Sequence, residues 1–197
     1  MADTILLNNQ PYHIQEADLS CLIHYGEKSG GSHFSVTMIA DLFLSGSKIL
    51  FITAYPMARE NFMKQVAGHE EKVDYVTHAD QIDPGKQAII LESGNEELFL
   101  DAVNKLPDVE EHVIFIKNME VFSDAVFDAC LGLPKIILSG DLDRCVAKER
   151  IVQTKFTTTV LFIQPEISLG YELPILEKYV GYMWSKETKG KVTIGLE

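Results

Sequence analysis

The chain has 197 residues, 46% hydrophobic and 23% charged, with a formal net charge of −12. That is enough sequence for one sizeable core, it holds no apolar run of the roughly 18 residues a membrane span needs, and its acidity argues against nonspecific nucleic-acid binding, which rests on Lys and Arg neutralising phosphates. Cys21, Cys130 and Cys145 are odd in number and widely spaced, so neither a disulfide framework nor a zinc cluster is indicated. The start, Met1-Ala2-Asp3-Thr4, lacks the basic lead of a secretory signal, and a reducing cytoplasm is the expected location. The negative surface suits a basic protein partner.

Residues 1–19 read as an N-terminal extension or edge strand, and residues 20–25 as a short strand. A helix is predicted over 35–44, because Val36, Ile39, Leu42 and Phe43 fall at helical spacing before Ser45-Gly46. Residues 48–53 form a continuous apolar run, as in a strand covered on both faces. A helix over 57–66 and a strand over 73–77 follow, and after the turn Asp83-Pro84-Gly85 comes a strand over 88–91. The helix at 96–106 turns Leu98, Phe99, Ala102, Val103 and Leu106 inward.

The second half continues the alternation: a buried strand at 112–116, a helix at 123–131 with Ser123 as N-cap, and a buried strand at 135–139. An exposed helix is predicted at 143–153 and a β-branched strand at 157–164. Residues 179–184 and 191–196 read as a terminal hairpin turning near Lys189-Gly190, with Tyr179, Tyr182 and Trp184 serving the core or an interface. The pattern predicts a single α/β domain over 1–197, with a mainly parallel, doubly wound sheet, helices on both faces and a C-terminal β-hairpin. Ligands bind such sheets at the carboxyl ends of the strands.

The loop Gly26-Glu27-Lys28-Ser29-Gly30-Gly31-Ser32-His33 would lie at such an end. A phosphate loop reads Gly-x-x-x-x-Gly-Lys-Ser/Thr: backbone N–H groups cradle phosphates, the Lys neutralises charge and the hydroxyl holds Mg²⁺. Gly26 and Gly31 keep the spacing, but Ser32 takes the place of the Lys and His33 that of the Ser/Thr. Lys28 is either a displaced phosphate lysine or, with Glu27, a solvated loop charge. The histidines, His13, His24, His33, His69, His78 and His112, show no metal-ligand spacing, so no metal is expected.

A glycine loop opening a helix, the strand in Gly46-Ser47-Lys48-Ile49-Leu50-Phe51-Ile52-Thr53, and the later strand Val113-Ile114-Phe115-Ile116 come in an order that resembles the RecA-like branch of P-loop NTPases. KaiC-type and Elongator-subunit-type domains are the nearest in kind, from about residue 20 onward. The resemblance implies a P-loop Lys at Ser32, a Walker B Asp at Lys117 (followed by Asn118) and a catalytic Glu near Ala54-Tyr55. All three are replaced. Lys117 is read as a salt-bridge partner of Glu27 or Glu120, a filler of the metal position, or an exposed strand-end lysine. Glu92 is either a displaced Walker B acid or, on strand order, part of an accessory strand, and Ser139-Gly140-Asp141 is a sensing position or a plain turn.

The resemblance therefore implies a non-catalytic, RecA-like pseudo-ATPase acting through protein–protein assembly, with itself or a paralogue. Alternatives are a nucleotide- or anion-binding regulator without turnover, its degenerate loop of Gly26, Lys28, Gly30, Gly31, Ser32 and His33 holding ATP, ADP or phosphate weakly, and an active ATPase linked to nucleic-acid transfer or remodelling. No cofactor, membrane or nucleic-acid partner is expected on the first reading.

Overall fold

A computed structural model describes residues 3–15, 19–186 and 188–195. Met1, Ala2 and Leu196, which figure in the sequence reading of the two ends, lie outside them. The described residues form an α/β structure around one mixed sheet of eleven strands, order β2-β1-β11-β10-β9-β3-β8-β7-β4-β6-β5. These are β1 (Thr4–Leu7), β2 (Gln10–Pro11), β3 (Cys21–His24), β4 (Lys48–Thr53), β5 (Val73–Val76), β6 (Ala88–Leu91), β7 (His112–Lys117), β8 (Ile136–Gly140), β9 (Thr158–Leu161), β10 (Gly181–Ser185) and β11 (Lys189–Gly195). The run from β9 to β5 is parallel, while β10, β11, β1 and β2 join antiparallel.

Alternation along the buried strands sorts their side chains into two cores. Ile49, Phe51, Val113, Phe115, Ile137, Cys21 and Ile23 face α1 (Gly31–Leu44) and α2 (Pro56–Gln65). Leu50, Ile52, Ile114, Ile116, Ile136, Leu138 and Leu22 face α3 (Glu96–Lys105), α4 (Asp124–Cys130) and α5 (Lys148–Gln153). The first core is tied by tilted and edge-on rings, with Phe51–Phe115 at 4.8 Å, Phe43–Phe62 at 5.6 Å and Phe51–Phe62 at 5.9 Å. Among the described residues no helix is long and apolar enough to cross a membrane.

Five expectations change. α1 begins at Gly31 because Gly30 takes the left-handed conformation (φ 94) and its carbonyl accepts the Phe34 N–H at 3.0 Å. Ser123 precedes α4 without capping it; its N–H and hydroxyl donate instead to the Glu96 carboxylate. Residues 142–153 are a 3-10 turn followed by the short α5, and they are not an exposed helix: Leu142, Cys145, Ala147 and Ile151 are buried in the second core. The strand foreseen at 157–164 ends at Leu161.

The expected turn residues Lys189-Gly190 lie within β11 instead, and β10 ends at Ser185, which donates its N–H to the Thr188 carbonyl at 2.8 Å. Gly190 is there for close approach: a Cβ on it would lie 2.3 Å from the Asn8 side chain. Within residues 1–19, β2 is the edge strand and β1 is enclosed between β2 and β11.

Phe115 touches Phe51 at the centre of the first core and is fully buried. Phe115→Ala is expected to cost about 3–5 kcal/mol, read as a lower urea midpoint at unchanged slope by circular dichroism.

Candidate functional site

The helices on the two faces locate the crevice. The crossover from β3 to β4 carries α1 on one face, and that from β8 to β9 carries α5 on the other. β3 and β8 are neighbours, so the chain leaves their carboxyl ends in opposite directions. Such a switch point is where open α/β sheets bind ligands. The loop of residues 26–30 follows β3 here and leads into α1.

Register then decides which side chains meet. Thr53, Lys117, Ser139 and Ile23 sit level across β4, β7, β8 and β3. By alternation all four point to the α1/α2 face. Tyr25, two residues beyond Ile23, points the same way, and its ring reaches back across this row. Its hydroxyl accepts a hydrogen bond from Lys117 Nζ and lies 3.4 Å from Ser139 Oγ, and the Lys117 ammonium stands 4.5 Å from the ring centre. Lys117 is 1% exposed and has no carboxylate within 4.0 Å among the described residues. Burial pushes its pKa from 10.5 down to about 7, opposed by the Glu120 charge. Burial likewise holds the Tyr25 phenol well above its usual range, against the Ser139, Ser32 and Ser35 hydroxyls.

The exposed strand-end lysine and the salt bridge to Glu27 or Glu120 are therefore both corrected. Lys117 is a buried amine held by an aromatic ring and its hydroxyl. Glu120 is occupied elsewhere, its carboxylate accepting the Asp141 N–H at 3.0 Å above Gly140.

The glycines of the loop face side chains of their own protein. A Cβ on Gly31 would lie 2.4 Å from Tyr25, one on Gly30 3.2 Å from Tyr179, and one on Gly26 2.9 Å from Ile163. Lys28 is exposed at the tip in a left-handed conformation (φ 56), alongside exposed Glu27. His33 turns away to pair with Asp3 at 2.7 Å. Ser32, Lys117 and Asn118 do come together, with Tyr55 and Asn61, around a cleft of about 210 Å³. Asn118 is left-handed (φ 64), and its side-chain oxygen lies 3.4 Å from Thr53 Oγ1. Tyr55, half exposed, begins α2 at the rim of this cleft, and Glu92 lies two strands away from β7, beyond β4.

A second polar group, on the other face, was not foreseen. His24, in register with Gly140, lies with Asp141 and Asp143 so that one ligand atom from each falls within 4.8 Å of the others. Its Nδ1 accepts the Leu142 N–H at 3.0 Å, which puts the imidazole proton on Nε2, 3.7 Å from Asp143. A cation on Nε2 needs that proton moved to Nδ1, where a donor already points, so the trio does not fit a metal. Burial lowers the His24 pKa despite Asp143 and Asp141. No sequence spacing signals this group, since turns bring it together. Tyr25 was also missed; its one signal is an aromatic residue between a buried strand and a glycine loop.

Comparison with protein-family models, curated proteins and solved structures gives no match for this chain.

Two predictions follow from the buried pair. With its folded pKa below 10.5, Lys117 binds fewer protons folded than unfolded between pH 7 and 10.5, so its contribution to stability rises with pH there. Lys117→Met is expected to stabilise the protein at pH 7 by about 3 kcal/mol. The advantage should shrink as pH rises to 9, measured by urea unfolding of both proteins at each pH. Gly31→Ala is expected to cost about 1–3 kcal/mol by driving a methyl into Tyr25. A double-mutant cycle with Tyr25→Ala should recover at least ~0.5 kcal/mol of that cost.

Proposed function

We propose that this chain is a RecA-like, non-hydrolysing subunit that works by assembly with a protein partner or with copies of itself. The observation that carries the reading is the Lys117–Tyr25 contact at the switch point, where a nucleotide-hydrolysing relative needs a metal-binding carboxylate and an open loop. A cation at that position repels Mg²⁺, and phosphoryl transfer depends on positioned Mg²⁺ and Lys charge. The element order, the glycine loop at the end of β3 and the hairpin β10–β11 support the RecA-like part of the reading.

Apolar side chains on the rim support the assembly part. Met57 is 70% exposed, Tyr55 52% and Tyr179 55%. Tyr182 and Trp184 have rings 4.7 Å apart, and Tyr171 stacks on Trp184 at 4.8 Å, so the hairpin aromatics are engaged with one another. The rim therefore carries more of the interface reading than the hairpin.

A second reading, a regulator that holds an anion without turnover, is favoured by the start of α1: fourteen residues long, with no side-chain cap and with Ser32 exposed in its first turn. Thermal melts with millimolar ADP, ATP and phosphate, with and without Mg²⁺, separate the two. The assembly reading expects no shift, whereas a saturable rise in Tm establishes the regulator. Light scattering over a concentration series, alone and with Met57→Asp, is expected to show a complex that the substitution dissolves. Phosphate release from ATP that Gly31→Asp abolishes would overturn both readings.

A further inference from the structure

We propose that Lys117 is a nucleophilic amine that captures a small carbonyl compound, an aldehyde or a 2-oxo acid, as an imine in the cleft between the glycine loop and α2. The inference goes beyond the assembly reading and does not need it. Its starting point is placement. Lys117 closes a central strand, is withdrawn from bulk water and still lines the cleft of about 210 Å³. At about 30 Å³ for each water-sized group, the cleft has room for a molecule of a few carbons. Ser32, Asn61 and Asn118 supply polar atoms around it, and Met57 and Val36 supply apolar wall.

What faces the amine fits this chemistry. From the end of β3 comes the Tyr25 phenol, in direct hydrogen bond; from β8, the neutral Ser139; from the turn after β7, the charge of Glu120; from the start of α2, Tyr55 on the cleft wall. None of the acidic groups forms an ion pair with Lys117 among the described residues, so only the more distant charge of Glu120 favours the ammonium, and burial outweighs it. A lysine desolvated in this way is the form that makes Schiff bases. With its pKa at about 7, roughly half of Lys117 is neutral at pH 7, against about one in 2,500 for an ordinary lysine.

The step balances without an oxidant or reductant. The Nζ lone pair adds to the carbonyl carbon, the C–O π bond breaks, and a proton passes from nitrogen to oxygen to give the carbinolamine. Tyr25 donates its hydroxyl proton to the carbinolamine hydroxyl, which leaves as one water while the C=N bond forms. The nitrogen gives its remaining proton back to the Tyr25 oxygen. Burial keeps the phenol in its protonated form, so the proton this step needs is in place. Amine and carbonyl become neutral imine and water.

The test uses the whole native protein with acetaldehyde in one arm and pyruvate in the other, each trapped by sodium cyanoborohydride at pH 7. Labelled lysines are counted by peptide mass spectrometry. Lys117 is expected to be labelled at least ~10-fold faster than the average of the other lysines, with a rate that halves near pH 7 as the solution is acidified. Preference for acetaldehyde assigns simple aldehydes, and preference for pyruvate assigns 2-oxo acids. Tyr25→Phe, with an unchanged circular dichroism spectrum, is expected to slow capture at Lys117 about 10-fold and to leave the surface lysines unaffected. If neither probe labels Lys117 faster than the exposed lysines in the native wild-type protein, the proposal is overturned. That arm needs no variant to fold.

Discussion

Parallel pairing fixes which residues share a level, and here it sets Thr53, Lys117 and Ser139 side by side at the carboxyl ends of β4, β7 and β8. A lysine in that row is almost wholly withdrawn from bulk water, because α1 and α2 cover the face. Desolvating an ammonium is costly, and the protein offsets part of the cost with the face and hydroxyl of Tyr25. Tyr25 can cross the row only if the loop above leaves room, and Gly31 supplies that room. The close approach of Gly31 to Tyr25 thus bears on how this one lysine is buried.

Glycines permit close approach, and what approaches is decided elsewhere. In a phosphate loop the approaching group is an anion met by backbone N–H groups. Here Gly26, Gly30 and Gly31 meet Ile163, Tyr179 and Tyr25. Two of these come from the chain after β9, which leaves the sheet at Leu161 and runs back over the loop before β10 begins at Gly181. The same spacing of glycines thus serves internal packing, with the polar atoms of Ser32 left at the surface.

The α/β class, the parallel core and the terminal hairpin were legible because their signals are local. Continuous apolar runs bounded by turn residues gave β4 and β6 at their observed limits, Lys48–Thr53 and Ala88–Leu91. The errors lie where distant residues decide. Nothing near 143–153 tells that Ile151 and Cys145 find the second core, so a short charged stretch reads as solvated. Gly30's left-handed turn moves the helix start by four residues, and only the carbonyl aimed at Phe34 reveals it. Lys117 reads as a strand-end charge because Tyr25, which buries it, is far away in sequence. His24, Asp141 and Asp143 meet only once β3 and β8 are paired. The residues of the glycine loop could be read by position, whereas their surroundings needed the third dimension.

The notch at Gly190 has a consequence for how the chain comes to be folded. Asn8 enters it, and the side-chain oxygen of Asn8 accepts the Lys191 N–H at 3.0 Å, so β1 finds its partner strand at the opposite end of the sequence. During synthesis the parallel core can form as soon as β9 has emerged, but β1 must wait for residues 189–195. Until then the sheet ends at β9, or at β10 once residues 181–185 have emerged, with its outer N–H and C=O groups free, an edge of the kind that recruits other strands. Contacts this far apart in sequence close slowly, because the loop entropy comes first. The late seam between β1 and β11 leaves that edge open to interception by a second nascent chain.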